Sequence, residues 1–268
     1  MGLAAAAYDA IEWTVHPGSQ SGSGGGSLYE DDGETTRYLP AEGAQFVWIN
    51  TGYAWDASGA VLTLKVDADE GGGHEGRPLQ RSHTFRLPLT LPPSSVSLDG
   101  KRLPYAPVWR ARGELGDPSF RGAWTYDGDQ LATIVHLPRI SWQRRVSVTV
   151  ATPKSAAMTL SGLSGAILAG RRAKATLDEA RMAPGEASVD PLGSPLNALA
   201  SAGAQFTSLA SQSSTNRSSA AFVAAAASVR RQHSAALSQL KTLFASTKSL
   251  SRKARVTYAI QLLEAGLE

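Results

Sequence analysis

A chain of 268 residues is longer than one hydrophobic core usually serves, so two domains are the natural expectation. Its 42% hydrophobic content suffices for real cores, while the absence of cysteine excludes disulfides, thiolate metal sites and a cysteine nucleophile. The net charge of +3 is unevenly spread: residues 1–152 hold 13 Lys/Arg against 17 Asp/Glu, and residues 153–268 hold 13 against 6, which points to two modules of different character.

The chain opens MGLAAAAYDAIEW. It has no basic n-region and its apolar run ends at Asp9, which makes a poor signal peptide, and Asp9 with Glu12 argues against a transit peptide. No stretch approaches the ~18 uninterrupted apolar residues of a membrane span. The expectation is a soluble chain with no membrane partner and no visible cellular address.

Residues 11–152 read as strands. FVWI (46–49), VLTLKV (61–66), HTFRL (83–87), LATIVHL (131–137) and RVSVTV (145–150) are short and rich in Val, Ile, Thr and aromatics. Several alternate apolar with polar, the period of a half-buried strand. Asp32-Gly33, Asp99-Gly100 and Asp127-Gly128 are turn signals between such runs. Strands with recurring turns and no intervening helical pattern predict a β-sandwich. Five of the six tryptophans fall between Trp48 and Trp142, where flat rings suit a sandwich core; Trp13 is the sixth.

From Ser155 the spacing becomes helical. A first helix is expected from Ser155 to about Arg181, burying Leu160, Leu163, Ile167 and Leu177. MAPGEASVDPLGSP (182–195), with three prolines, reads as a loop. Phe222, Ala226, Val229, His233, Leu237, Leu240 and Phe244 then step by four and three along one helix face, and Val256, Ala259, Ile260 and Leu263 share a face of a last helix. The predicted fold class is therefore a β-sandwich domain followed by an α-helical hairpin or bundle.

The densest run of chemistry is SLYEDDGET (27–35), with Glu30, Asp31, Asp32 and Glu34 around Gly33. As an EF-hand it fails: aligning Gly33 to the glycine position places Leu28 and Leu39 where oxygen ligands belong. Another calcium geometry is the remaining metal alternative. Glycoside hydrolysis needs two carboxyl groups facing across a sugar, from separate segments of a cleft, whereas adjacent acids on a turn diverge. The reading preferred on physical grounds is an acidic turn after a strand, with Asp32 bonding nearby backbone and Gly33 supplying positive φ. Leu28 and Tyr29 are expected to be buried at the strand end, with Glu30, Asp31 and Asp32 lining the turn.

Other motifs are weaker. His16, His74, His83, His136 and His233 form no H-E-x-x-H pattern, and His233 on its apolar stripe reads as a packed residue. GSGGGS (22–27) and EGGGHEG (70–76) lack the GK[ST] ending of a phosphate loop and read as flexible loops. Arg171-Arg172, Arg230-Arg231 and KSLSRKAR (248–255) read as solvated helix faces, and nucleic acid is not an expected partner. Asn216-Arg217-Ser218 matches a glycosylation acceptor, relevant only to a secreted chain.

The stretch TVHPGSQSGSGGGSLYEDDGETTRY (14–38) resembles the start of the distal C-terminal β-sandwich of glycoside hydrolase family 31, the α-glucosidase and α-xylosidase family. RSHTFRLPL, SVSLDGKRLPY and WTYDGDQLATIVHLPRISWQRRVSVTV follow in the order of that domain's later landmarks, and a helical extension follows in bacterial-type members. The resemblance implies residues 1–16 as a remnant of a preceding sandwich or a linker, 17–152 as the distal sandwich, and 153–268 as the helical extension with its loop at 182–195.

The same resemblance implies where the chemistry is not. Family members react in an upstream (β/α)₈ barrel, with an aspartate nucleophile in a W-x-D-x-N-E type motif and a second aspartate as acid/base. Neither the motif nor a βα pattern occurs here, so no catalytic residue is carried over to any position. The chain is read as the tail of a glycosidase, a truncated gene model or a surviving fragment, inactive alone and requiring no cofactor or metal. Its acidic-turn residues Tyr29, Glu30, Asp31, Asp32, Gly33 and Glu34 would be structural, and its partner would be the catalytic barrel of a parent enzyme. One alternative is an autonomous carbohydrate-binding sandwich, with Trp55 or Trp109 stacking on sugar faces. Another is an interaction module acting through the basic helices.

Overall fold

The computed structural model describes residues 8–17, 20–107, 117, 119–152, 162–181, 195–212 and 219–266. The chain divides into two compact units. Met1–Pro88, Pro92–Thr125 and Thr133–Ala157 form the first; Leu89–Leu91, Tyr126–Ala132 and Met158–Glu268 form the second.

The β-rich unit holds two sheets. In the larger, β2 (Gly22–Glu30), β3 (Val47–Asp56), β4 (Val61–Val66), β11 (Val146–Ala151), β6 (Ser95–Leu98) and β7 (Lys101–Arg102) lie side by side in that order, every pair antiparallel. In the smaller, β1 (Ala10–Thr14), β5 (Gln80–Leu87), β9 (Ala132–His136) and β8 (Ala123–Asp127) are adjacent, and β10 (Ile140–Ser141) also pairs with β5. The β1–β5 pair is parallel, so this sheet is mixed. Ala10–Thr14, within the stretch read as a remnant or linker, is thus a sheet strand.

Alternation sets the buried face of the larger sheet. Val47 and Ile49 on β3, Leu62, Leu64 and Val66 on β4, Val146, Val148 and Val150 on β11, and Val96 and Leu98 on β6 are all buried. They share one face because paired residues point the same way. β5 contributes Arg81, His83, Phe85 and Leu87 as its buried row. The Asp99-Gly100 signal marks a two-residue hairpin between β6 and β7, with φ of 49° and 78° at the two loop residues, as a type I′ turn requires. The tryptophan expectation needs correction: Trp124 is buried, but Trp13, Trp55 and Trp142 are half-buried and Trp48 is 40% exposed. Aliphatic rows build most of this core, and Trp109 lies outside the described residues.

The glycine-rich loop is also corrected. GSGGGS is part of β2, paired with β3 residue by residue from Gly22↔Trp55 to Glu30↔Val47. A Cβ on Gly25 would lie 2.7 Å from the Thr51 carbonyl oxygen, so the missing side chain is what lets β2 close on β3 at this point.

Among the described residues the second unit contains four helices: α1 (Leu163–Arg181), α2 (Pro195–Ser211), α3 (Ser219–Ser246) and α4 (Leu250–Ala265). α1 packs on α2 and α4, and α3 packs on the same two, which closes a four-helix arrangement. The expected start at Ser155 lies outside the described residues; the described helix begins at Leu163, after Gly162 with φ of +76°, outside the right-handed helical region. Leu163, Ile167 and Leu177 are buried as expected; Leu160 and most of 182–195 lie outside the described residues. Along α3, Phe222, Ala226, Val229, His233 and Leu240 are buried, while Phe244 at the far end is 39% exposed. His233 Nε2 lies 2.8 Å from the Leu263 carbonyl of α4, a packed and satisfied histidine. The tip of the β8–β9 hairpin, Tyr126–Ala132, clusters with the helices: the Gly128 N–H donates to Thr207 Oγ1 at 3.1 Å, and Arg171 pairs with Asp129. Among the described residues no helix is long and apolar enough to cross a membrane.

Candidate functional site

The acidic run begins on the last residue of β2 and ends in a turn. Asp31 Oδ1 accepts from the Gly33 N–H at 2.8 Å, and Gly33 adopts φ of 65°. Asp32 Oδ1 accepts from the N–H groups of Glu34 (3.1 Å) and Thr35 (3.0 Å), while Thr35 Oγ1 donates to Asp32 Oδ2 at 2.6 Å. Bonds to Thr35, first from its hydroxyl and then from its N–H, with a further bond from Glu34, hold the Asp32 pKa down at about 2. These two carboxylates are engaged in closing their own turn. Glu34 is exposed.

Glu30 turns inward, which corrects its expected place in the turn. It shares the inner row of β2 with Leu28, because both pair with buried residues of β3, Val47 and Ile49. Its carboxylate receives a fork from Arg81 of β5: Nη1 reaches Oε1 at 3.2 Å and Nη2 reaches Oε2. The Arg81 side chain is 2% exposed and that of Glu30 11%. His74 completes the cluster, with Nε2 3.4 Å from Glu30 Oε2 and Nδ1 2.9 Å from the Glu75 carbonyl. A second ion pair joins Arg77 Nη2 to Asp69 Oδ2 at 2.7 Å, with side chains 10% and 5% exposed, and the Arg77 guanidinium lies 4.2 Å over the Trp142 ring.

These pairs are built as braces. The two-point Arg81–Glu30 contact fixes direction as well as distance, and the single Arg77–Asp69 bond is backed by the Trp142 ring. Among the described residues Arg81 Nε and Arg77 Nε are buried without hydrogen-bond partners, and each cation is compensated by one carboxylate. Next to Arg81 on the same row, His83 Nδ1 accepts from Trp13 Nε1 at 3.1 Å, which places the proton of the neutral ring on Nε2. Burial first, and the Arg81 charge second, lower the His83 pKa to about 4. Among the described residues no cluster of three or more His, Asp or Glu side chains is arranged to hold a metal ion.

Leu28 and Tyr29 are not buried as expected; they are 38% and 39% exposed. Among the described residues β2 is the edge strand of its sheet, with no strand beyond it beside Leu28, and Tyr29 belongs to the outer face. There its ring stacks on Phe46 at 5.7 Å between centroids and meets the Trp48 ring edge-on at 5.2 Å. Trp55 lies on the inner row opposite Gly22 and Leu62, half-buried, with Nε1 buried and without a hydrogen-bond partner among the described residues. The open aromatic pair of this sheet is therefore Tyr29 with Trp48, a pair that sequence reasoning missed. Strand parity holds the missing signal: counting by two from buried Val47 and Ile49 puts Trp48 outside and Trp55 inside.

No family model matches the chain, and no curated protein is significantly similar to it. Solved structures similar to it include the GH31 dextranase of Flavobacterium johnsoniae complexed with glucose, at 17% identity over 53% of this chain and 17% of that one, with a TM-score of 0.47. The cycloalternan-forming enzyme from Listeria monocytogenes, in complex with a pentasaccharide substrate, is 17% identical over 57% of this chain and 12% of its own, with a TM-score of 0.37. An uncharacterized Listeria monocytogenes protein in complex with glucose, magnesium and calcium is 16% identical over 55% of this chain and 11% of its own, with a TM-score of 0.36. These are low-identity similarities over about half of the chain, which spans less than a fifth of each of those proteins.

Proposed function

We propose that this chain is a non-catalytic accessory region of a family 31 α-glycosidase. Its two sheets would form the distal C-terminal β-sandwich of such an enzyme, its helices the extension that follows, and its partner would be the catalytic barrel. The observation that carries this reading is how LYEDDGET spends its acids. The motif that resembles the family commits Glu30 to Arg81 and commits Asp31 and Asp32 to N–H and O–H donors of the turn. Each is held where it braces the fold, and a glycosidase pair instead needs carboxyl groups open to a sugar from both sides.

The test is an assay of the purified chain on p-nitrophenyl α-glucoside beside its Asp31→Asn and Asp32→Asn variants. The accessory reading expects no turnover from any of them and lower melting temperatures for both variants. Reproducible turnover by the native chain, lost in either variant while its fold persists, would overturn it.

A further inference from the structure

The outer face of the larger sheet carries a chemical arrangement that the bracing role does not use. Strand register writes it in rows. Tyr29 of β2 lies opposite Trp48 of β3, and Trp48 lies opposite Glu70 through an isolated antiparallel bridge. The neighbouring row pairs Ser27 with Asn50, and the next pairs Gly25 with Gly52 and Gly52 with Lys65. Beyond that come Ser23, Ala54, Thr63 and Thr149. The face is thus small and polar over most of its extent, and one end bears two exposed rings.

Those rings are held in place. Tyr29 is wedged between Phe46 and Trp48. Ser27 Oγ donates to Asn50 Oδ1 at 2.7 Å, which orients the Asn50 amide and leaves its Nδ2 hydrogens as donors. Glu70, beside Trp48, is exposed and makes no ion pair among the described residues. Rings, amide and carboxylate are pre-positioned on paired strands, so little ordering cost remains for a ligand.

We propose that this face binds a neutral oligosaccharide, one pyranose stacking its C–H face on Trp48, with Tyr29 set edge-on against that ring as its support, while its hydroxyls bond Asn50 Nδ2 and the Glu70 carboxylate. Successive rows on one face lie roughly 7 Å apart, so one sugar unit on the rings reaches the Ser27–Asn50 row. The charges select the occupant. A polyanion such as nucleic acid or an anionic lipid surface meets Glu70 and Asp31 beside the rings and is repelled there; the one cation in these rows, Lys65, stands two rows away from the rings. A purely apolar partner leaves Asn50 and Glu70 desolvated without bonds, which is costly. A ligand rich in hydroxyls, carrying one apolar face and no charge, satisfies every group. The inference stands on the face's own chemistry, and its failure leaves the accessory reading untouched.

The test is native affinity electrophoresis of the full chain in gels containing soluble starch, dextran or xyloglucan, referenced to a gel without polysaccharide. Retardation of the native chain is expected in at least one gel. Trp48→Ala weakens it by about tenfold or more, as for an aromatic anchor. Asn50→Ala and Glu70→Gln, both at solvent-accessible side chains, weaken it with unchanged circular dichroism, whereas Ser238→Ala, exposed on α3 of the second unit, leaves it unaltered. A native chain that is retarded in none of the three gels overturns the proposal. So does retardation that survives Trp48→Ala, Asn50→Ala and Glu70→Gln alike.

Discussion

Arg81 on β5 and Glu30 at the end of β2 hold each other from different sheets, through both nitrogens of the guanidinium and both oxygens of the carboxylate. Fifty-one positions separate them in the chain, and the pair is almost free of solvent. Breaking such a pair costs more than the pair contributes, because the partner left behind stays charged and buried. Arg81→Met is expected to lower the unfolding free energy by about 3–5 kcal/mol, read by urea unfolding of the full chain. The double variant Glu30→Leu with Arg81→Met should recover most of that loss, since it removes both charges together. A double variant no more stable than the single one would show that Glu30 does not depend on Arg81.

His83 gives the β-rich unit a defined acid limb. Burial and the neighbouring Arg81 charge depress its pKa from 6.5 to about 4. Between those values the unfolded chain binds the proton and the folded one does not, so stability falls as pH drops from about 6.5 and levels off below about 4. The full penalty is on the order of 3 kcal/mol. His83→Gln keeps an acceptor for Trp13 Nε1 without a titrating ring. Its urea midpoint, compared with that of the native chain from pH 7 to 4, should show a flatter slope; equal slopes would exclude His83 as the source.

The Asp32 turn works in the opposite sense. Its folded pKa of about 2 lies below the 3.8 of an unperturbed aspartate, so the stabilisation is complete above roughly pH 4 and is lost as pH falls toward 2. Asp32→Ala should melt lower than the native chain at neutral pH, with Asp32→Asn between them because an amide oxygen still accepts two N–H bonds. The gap between Asp32→Ala and the native chain should close as the pH is lowered through that window. Addition of calcium or a chelator should leave the native melt unmoved; a large calcium shift would reassign the turn as a metal loop.

What the sequence disclosed and what it hid follow from which physics was local. β4 and β11 are legible because VLTLKV and RVSVTV alternate, and alternation is a property of each strand alone. The Asp99-Gly100 hairpin is legible because positive φ at two successive positions demands those residues. β2 was hidden: a Gly/Ser run carries no strand propensity, and its pairing depends on Thr51 and Tyr53 some 30 positions away. α2 was hidden behind the proline-rich stretch, although Pro195 opens it and Leu196, Leu199 and Phe206 line its buried face. At the candidate site the turn bonds of Asp32 are local and could be foreseen. The inward course of Glu30 requires Arg81, a residue that no window around LYEDDGET contains.

The glycines of β2 offer the sharpest test of why that strand forms. A Cβ on Gly25 would meet the Thr51 carbonyl oxygen at 2.7 Å, a backbone atom fixed by the β2–β3 ladder. A Cβ on Gly24 would meet Tyr53 Cε1 at 2.8 Å, but that atom belongs to a side chain and not to the backbone ladder. Both substitutions equally reduce the freedom of the unfolded chain, which favours folding by about 0.4–1 kcal/mol. Only Gly25→Ala must also push two paired strands apart, at a cost of about 1–3 kcal/mol for an overpacked site. Gly24→Ala is therefore expected to be neutral or slightly stabilising and Gly25→Ala clearly destabilising, measured by urea unfolding under the same conditions. Amide exchange should localise the difference, with faster exchange along Gly22–Glu30 in Gly25→Ala alone. Equal behaviour of the two variants would mean that β2 is held by something other than its close approach to Thr51.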